Sequence, residues 1–189
     1  MADTHYRHKN IVNLAGRPFR DSKEMDECQI ESHNSVIKKG DIVYHLGDLA
    51  FTENGQAGID YLKWLKDTLN GEIRVLLGNH DNRKQVEEVF GPTWMPRGLH
   101  RIRHQGERIV ICHYSLRTWE GQHYGAWHLF GHSHGSLTPF GKSVDVGVDA
   151  NFLERDVPWG TPYHFDEIKA FMDVREVAVP DRHQKAGRR

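Results

Sequence analysis

The chain has 189 residues, a formal net charge of −1 and 27% charged residues, and its length suits one domain whose core needs no disulfides. The nearly balanced charge provides no strong field for nucleic acid or a membrane surface, and no apolar run is as long as a membrane span. Two cysteines and a polar N-terminus without a secretory signal are typical of a reducing compartment. We therefore expect a cytoplasmic protein with a single domain over residues 1–180 and a basic tail over residues 181–189.

The first half of the chain alternates between helix and strand patterns. A capped start predicts a helix over residues 21–37, and nearly continuous apolar runs predict strands over 41–47 and 72–78. Such runs are typical of strands that are covered on both faces. Apolar residues at helical spacing predict a helix over 59–69 between the strands, and a third helix follows Asp81 and ends at a Gly-Pro pair.

The second half of the chain is richer in strand patterns. A hairpin is predicted over residues 101–113, and a further strand over 126–130. Strict alternation over 143–149 predicts a half-exposed strand, and a last short helix is predicted over 166–174. A β-α-β unit followed by hairpin strands indicates an α/β protein with two packed sheets, whose ligand sites lie on the loops that follow the strands.

Residues with metal-ligand chemistry follow the predicted strands and also lie at the start of the chain. They occur in five blocks, at residues 3–5, 47–48, 78–81, 113 and 131–134. The glycine that begins the third block and the one that begins the fifth are expected to let the backbone turn tightly there. Each block alone is unremarkable, as a polar terminus, a turn or a loop, but together they supply the carboxylate, amide and imidazole groups of a two-metal hydrolytic site.

The order of these blocks resembles the calcineurin-like metallophosphoesterase superfamily. Residues 3–11, 17–19, 24–26 and 43–48 are similar, more narrowly, to its small bacterial and phage phosphoesterases. The resemblance implies a four-layer α-β-β-α sandwich with two mixed β-sheets and two divalent metal ions between strand-end loops. Mn, Fe, Zn and Ni all suit these ligands, and Mn is favoured.

The resemblance also implies a ligand set in which Asp48 bridges the two ions. A carboxylate can do this because it has two oxygen atoms. The first ion would be held by Asp3, His5, Asp48 and His134. The second ion would be held by Asp48, Asn79, His113 and His132. His8 and His45 are expected near the site in supporting or packing positions.

The implied mechanism uses a water molecule shared by two ions roughly 3.5–4 Å apart, whose pKa falls towards about 7. The resulting hydroxide would attack phosphorus in line with the leaving oxygen. His80 resembles the family histidine that stabilises the transition state or protonates the leaving group. Asp81 is predicted to orient the His80 ring through a ring nitrogen.

The start of the chain departs from the family pattern, in which a full strand precedes the Asp-x-His pair. Only Met1 and Ala2 precede Asp3 here, whereas a strand usually has about five residues. Either the true start lies upstream, or Asp3 and His5 lie on a frayed terminus, which would loosen the first ion.

The favoured function is hydrolysis of phosphodiesters, with cyclic nucleotides or nucleotide-like diesters as substrates. Residues 121–125 and 158–160 are candidate rim segments with aromatic faces for a base. One alternative is a phosphomonoesterase or protein phosphatase, in which Arg83 would grip a terminal phosphate. Another is a catalytically silent protein-binding scaffold. A small phosphoester is the expected partner, and no membrane partner is expected. A nucleic-acid partner is disfavoured but stays open, and the patterns allow a monomer or a homodimer.

Overall fold

The computed structural model describes residues 1–91, 98–150, 153, 155–178 and 180. The helices are α1 (Ile11–Leu14), α2 (Ser22–Val36), α3 (Gln56–Thr68), α4 (Arg83–Phe90) and α5 (Phe165–Asp173). The strands are β1 (Ile42–His45), β2 (Glu72–Val75), β3 (His100–His104), β4 (Glu107–Ile111), β5 (Trp127–Phe130) and β6 (Ser143–Asp145). The predicted basic tail, residues 181–189, lies outside the described residues.

Side chains cap the predicted helices at their first turns. The Asp21 carboxylate accepts hydrogen bonds from the backbone N–H groups of Lys23 and Glu24 at the start of α2. His164 and Glu167 form a reciprocal capping box at the start of α5. Such caps satisfy N–H groups that have no partner within the helix. All four predicted helices are confirmed, because α2, α3, α4 and α5 begin and end within a few residues of the expected positions.

The strands form two sheets, as predicted. β1 and β2 pair in parallel, and the second sheet has the order β3-β4-β5-β6. In the second sheet β3 and β4 form the predicted antiparallel hairpin, whereas β4, β5 and β6 run parallel. The expectation of two mixed sheets is thus wrong for the first sheet, because its described strands are both parallel.

Strand β6 is buried on both faces, so the prediction of a half-exposed strand is wrong. Val144 is fully buried in an apolar cluster. On the other face, the Ser143 hydroxyl donates to the Phe140 carbonyl, and the Asp145 carboxylate accepts hydrogen bonds from a neighbouring loop. The alternation therefore separates apolar packing from a buried polar network, rather than core from solvent.

The first residues of the chain are firmly held between the two sheets. On one side, the Met1 amino group donates to the Tyr44 carbonyl and the Asp3 N–H group donates to Gly47. On the other side, Ala2 forms a parallel bridge with Gly147. Asp3 is fully buried, and His5 is 1% exposed. The expectation of a frayed start is therefore wrong for this structure.

Two apolar clusters hold the helices and the sheets together. The first packs α3 and α4 on β1 and β2, and its buried members include Leu65 of α3. The second packs α5 on β4, β5 and β6, with Met172 of α5 fully buried. Leu46 and Leu76, which directly follow β1 and β2, also belong to the second cluster, so both sheets contribute to it. Among the described residues, no helix is both long and apolar enough to cross a membrane.

Replacement of Met172 by alanine tests the docking of α5 on the second sheet. Because Met172 is fully buried, Met172→Ala should lower the free energy of unfolding by about 2–5 kcal/mol. Val174→Ala is the control at the end of the same helix, since Val174 is 84% exposed, and should change it by less than about 0.5 kcal/mol. Urea titration measures both. Equal small effects would contradict this position of α5.

Candidate metal centre

Side chains from distant parts of the chain meet in two neighbouring groups. The first group is Asp3, His5 and His134, and the second is Asp48, His113 and His132. Within each group, the atoms able to bind a cation lie within 4.8 Å of one another. Asp48 connects the groups, because its Oδ2 atom lies 3.5 Å from Nε2 of His5 and 3.5 Å from Nε2 of His113. Six of the seven predicted metal ligands are therefore brought together.

Asn79, the remaining predicted ligand, lies beside the second group. Its Oδ1 atom is 3.1 Å from Nε2 of His113. The other ring nitrogen of His113 is 2.8 Å from the Leu46 carbonyl oxygen, to which it donates. Nε2 therefore faces the oxygen atoms of both Asn79 and Asp48. This arrangement calls for a positive charge between these atoms, either a proton on His113 or a metal ion.

His5 and His134 offer free nitrogen atoms to the first group. Nε2 of His5 is buried and has no hydrogen-bond partner among the described residues. Burial lowers the pKa of His5 to about 3, so the ring is neutral and its nitrogen lone pair is available. Nδ1 of His134 lies 2.6 Å from the Asp149 carboxylate, which leaves Nε2 for a cation. A buried nitrogen without a partner is costly unless a ligand binds it.

The backbone is left-handed at most of these positions. Among the described residues, seven that are not glycine have a positive φ, and five of these are predicted ligands. Those five are Asp3, His5, Asp48, His132 and His134, with φ between 47° and 68°. Such residues each cost roughly 1–3 kcal/mol and occur mostly where function requires the geometry. Backbone strain is thus concentrated at the two groups.

The glycines beside the groups give the carboxylates space. A Cβ atom on Gly78 would meet the Asp48 carboxylate, and one on Gly131 would lie 2.7 Å from Oδ2 of Asp3. Neither glycine has a positive φ, so the bends that follow them do not depend on the left-handed conformation that glycine favours. Gly47 does have a positive φ, at 103°, and a Cβ atom there would lie 2.6 Å from the Gly78 nitrogen. These glycines are needed mainly for close approach.

Asp81 holds two loops together instead of orienting His80. Its carboxylate accepts hydrogen bonds of 2.8 Å from the backbone N–H groups of Asp48, Leu49 and Gly78. Both oxygen atoms are thereby engaged with backbone, and the prediction that Asp81 binds a ring nitrogen of His80 is wrong. Asp81 instead ties the loop after β2 to the loop after β1, and so sets the position of Asp48.

His80 lies at the open side of the site. Its backbone N–H group donates to Oδ1 of Asp48 at 2.9 Å, and its side chain is exposed. Its ring centroid lies 5.3 Å from that of His5 and 5.8 Å from that of His8. The His80 ring therefore lies beside the first group, and its backbone contacts the carboxylate that both groups share. An exposed imidazole there can reach a molecule bound at the site.

A buried arginine and its carboxylate partner support the first group. Arg17 donates to both oxygen atoms of Asp149, at 2.9 Å and 2.7 Å, and Asp149 contacts His134. Arg17 also donates to the backbone carbonyls of Asp3 and Thr4. Burial alone would raise the pKa of Asp149, but hydrogen bonds from His134 and Arg17 bring it below its usual value. Asp149 in turn raises the pKa of His134.

Sequence reasoning assigned no role to Arg17 or Asp149, although Arg17 lies within a segment that carries the resemblance. They are 132 positions apart, and no spacing rule joins them. Asp145 was also missed. It accepts hydrogen bonds from the Ser133 hydroxyl and the Gly135 backbone, and so fixes the loop that carries His132 and His134. Buried residues that hold a site's side chains in place are recognised only from the folded structure, because they are far apart in the sequence.

Comparison with known proteins supplies a family but no activity. No protein-family profile matches the chain. The chain is 30% identical over 156 residues to the uncharacterized protein MJ1445 of Methanocaldococcus jannaschii. This match covers 79% of this chain and 80% of that protein. The chain is 32% identical over 98 residues to the gene 66 protein of Mycobacterium phage L5, covering 50% of this chain and 46% of that protein.

A solved structure shares the fold. The crystal structure of the protein of unknown function AQ665 from Aquifex aeolicus superposes with a TM-score of 0.59 and 24% identity. The match covers 79% of this chain and 88% of that chain. On the strength of the archaeal relative, this chain belongs to the family of MJ1445.

Replacement of Gly78 by alanine tests the packing around Asp48. Because the new methyl group would collide with the Asp48 carboxylate, Gly78→Ala should lower the free energy of unfolding by about 1–3 kcal/mol. Gly40→Ala is the control, since nothing lies within 4 Å of a Cβ atom there. Thermal unfolding followed by circular dichroism compares the two variants. If Gly78→Ala unfolds like the control, Asp48 is not packed as described.

Proposed function

We propose that this chain is a dinuclear metal-dependent phosphodiesterase, and that its family shares the metal centre. The observation that carries the proposal is the position of Asp48 between two groups of ligands. One carboxylate oxygen lies 3.5 Å from a histidine nitrogen of each group. Two cation positions joined by one carboxylate suit a site that activates water for attack on phosphorus.

The residues present fit two divalent ions. Carboxylate, amide and imidazole ligands accept Mn, Fe, Zn or Ni, and we favour Mn. The partnerless nitrogen of buried His5 supports the first position, and the convergence of His113, Asn79 and Asp48 supports the second. Two ions, when bound, would lower the pKa of a shared water and neutralise charge on the phosphoryl oxygens.

The side chains around the two positions would orient and protonate the reacting groups. Leu46 and Asp149 fix the ring orientations of His113 and His134 through their hydrogen bonds. We assign to His80 the protonation of the leaving oxygen or the stabilisation of its charge, because its ring is exposed beside His5. Asp81 supports the role of His80 only indirectly, because it holds the loop after β2, on which His80 lies.

We further propose the four-layer arrangement that accompanies such centres. The helices α3 and α4 would cover the sheet of β1 and β2, and α5 would cover the sheet of β3 to β6. The two apolar clusters support this order, since the first joins α3 and α4 to the two-stranded sheet, and the second joins α5 to the four-stranded sheet. Leu46 and Leu76 would lie between the sheets.

Exposed aromatic rings favour substrates with a planar group. Phe51 is 50% exposed and stacks on His8, with ring centroids 4.7 Å apart. Tyr114 is 39% exposed, and its ring centroid lies 4.7 Å from that of His132. One ring thus adjoins His132 of the second group, and the other stacks on His8, whose ring lies 5.3 Å from that of His5. A nucleotide-like diester could place its base on either ring while its phosphate faces the centre.

These rings replace the rim segments expected from the sequence. Trp159 packs against Phe19 and lies over the buried Arg17 guanidinium, so it supports the site from inside. Tyr124 lies beside Arg108 instead of the metal ligands. The sequence alone cannot distinguish an aromatic residue at a rim from one that packs, because both uses occur in loops.

The monoesterase alternative needs a cation that grips a terminal phosphate. Its candidate, Arg83, lies on the exposed face of α4 and pairs with Glu87 at 2.8 Å. This pairing disfavours a role in phosphate binding and leaves the diester reaction as the better proposal. The silent scaffold is disfavoured because every predicted ligand is present, and six of them converge.

Metal loading followed by substrate assays tests the proposed function. Protein stripped with a chelator and reloaded with Mn²⁺ should bind two ions per chain and hydrolyse bis-p-nitrophenyl phosphate faster than p-nitrophenyl phosphate. Because both positions use Asp48, Asp48→Asn should lower kcat by at least about 10³-fold and reduce the bound metal. His123→Ala, at a histidine outside both groups, should retain activity and metal. Faster monoester hydrolysis would favour the phosphatase, and metal binding without turnover would favour the scaffold.

A substitution at His80 separates proton transfer from metal binding. His80→Ala should retain two ions per chain but lower kcat by about 10²–10⁴-fold, since general acid catalysis is typically worth that much. The loss should be smaller for diesters with better leaving groups, which need less protonation. Metal analysis and steady-state kinetics on two aryl diesters measure both effects. Near-normal kcat with full metal occupancy would rule out this role.

A further inference from the structure

A cavity of about 350 Å³ lies on the β3–β4 hairpin, away from the metal ligands. Three arginines line it, Arg101, Arg103 and Arg108, together with Glu120 and the small residues Gly121 and Ala126. A space of this size is at the lower end of the range for small-molecule sites. Neither the proposed reaction nor the metal centre uses it.

The hairpin register places the three arginines on one face. Arg101 and Arg103 are two positions apart in β3, and alternate residues of a strand point to the same side. Arg103 lies directly opposite Arg108 in the antiparallel pair. Like charges in directly opposed positions destabilise a hairpin. The register therefore places two like charges on neighbouring strands at the cavity.

The carboxylate at the cavity neutralises only part of this charge. Glu120 pairs with Arg101 at 2.5 Å, so the lining residues carry a net charge of +2. Arg108 donates to the backbone carbonyl of Tyr124 and lies 5.6 Å from the centre of that ring. The Tyr124 side chain is 72% exposed. Cationic forks and an accessible aromatic ring thus occur together.

We propose that this cavity binds a small organic diphosphate, such as a nucleoside diphosphate. Arginine guanidinium groups bind phosphate oxygens in pairs, and a dianion would relieve the repulsion between Arg103 and Arg108. Tyr124 does not line the cavity, but its exposed ring lies beside Arg108 and offers a surface for a base at the cavity's border. Arg108 is five residues before His113, so the site lies roughly 16 Å along the chain from the metal centre at the spacing of a strand. The proposal is therefore independent of the proposed catalytic function.

The arginines on β3 have a competing explanation, which is protection of the sheet edge. Charged residues on an outer strand prevent that strand from pairing with another chain. Protection requires charge on β3, but it requires neither a cavity nor a like charge opposite on β4. A charge reversal at Arg103 distinguishes the two explanations. Arg103→Glu keeps a charged edge and creates an attractive pair with Arg108.

Isothermal titration with ADP, in the presence of EDTA and at low salt, tests the site. Wild-type protein should bind one ADP per chain, and Arg103→Glu should weaken binding by at least about tenfold because a charge-assisted contact becomes repulsive. Arg20→Glu is the matched control, since it makes the same charge change at an exposed residue outside the cavity. The control should bind ADP within about twofold of wild type.

Thermal unfolding of the ligand-free variants supplies a second measurement. Arg103→Glu should raise the melting temperature relative to wild type, because a repulsive cross-strand pair becomes attractive. A stabilised variant that no longer binds ADP would support the proposal and exclude misfolding as the cause. No saturable ADP binding to wild type, or equal binding to wild type and Arg103→Glu, would overturn it. Binding of single-stranded DNA but not ADP would also overturn it.

Discussion

The position of the Asp48 carboxylate is the constraint on which the site depends. Its Oδ2 atom lies 3.5 Å from one histidine nitrogen in each ligand group. Three features hold it there: a left-handed backbone at Asp48 itself, a glycine at position 78 that leaves room, and the Asp81 carboxylate that ties both loops. Each of these features alone would be unfavourable or unremarkable, and together they fix one carboxylate between two sets of imidazoles.

Burial makes this arrangement costly for a protein without cations. Burial raises the pKa of Asp3 to about 7, even though His113 and His134 oppose the shift. Burial also disfavours ionisation of Asp48, but hydrogen bonding and charge from His113, with the His80 N–H group, hold its pKa below the usual range. Two buried carboxylates in one site form an environment in which bound cations would be strongly stabilising. Asp149 is a further carboxylate beside the site, and the buried Arg17 guanidinium neutralises its charge.

Much of the fold could be predicted because its signals are local. The cap at Asp21, the apolar spacing in α3 and the hairpin pattern each act within a few residues. The meeting of most candidate ligands could also be predicted, since loops that follow parallel strands meet at one sheet edge. Their supporting partners could not, because Arg17 reaches Asp149 across 132 positions and Asp81 binds backbone rather than a side chain. The burial of β6 likewise depends on loops that only the folded chain brings near.

The most direct test of the central claim is electron paramagnetic resonance of the protein loaded with Mn²⁺. If Asp48 bridges two ions, the spectrum should be that of an exchange-coupled Mn²⁺ pair, with two ions per chain by metal analysis. Substitution of Asp48 by asparagine should abolish the coupling. A spectrum of isolated Mn²⁺ ions in the wild-type protein at full occupancy, or a single ion per chain, would contradict a shared carboxylate and with it the dinuclear centre.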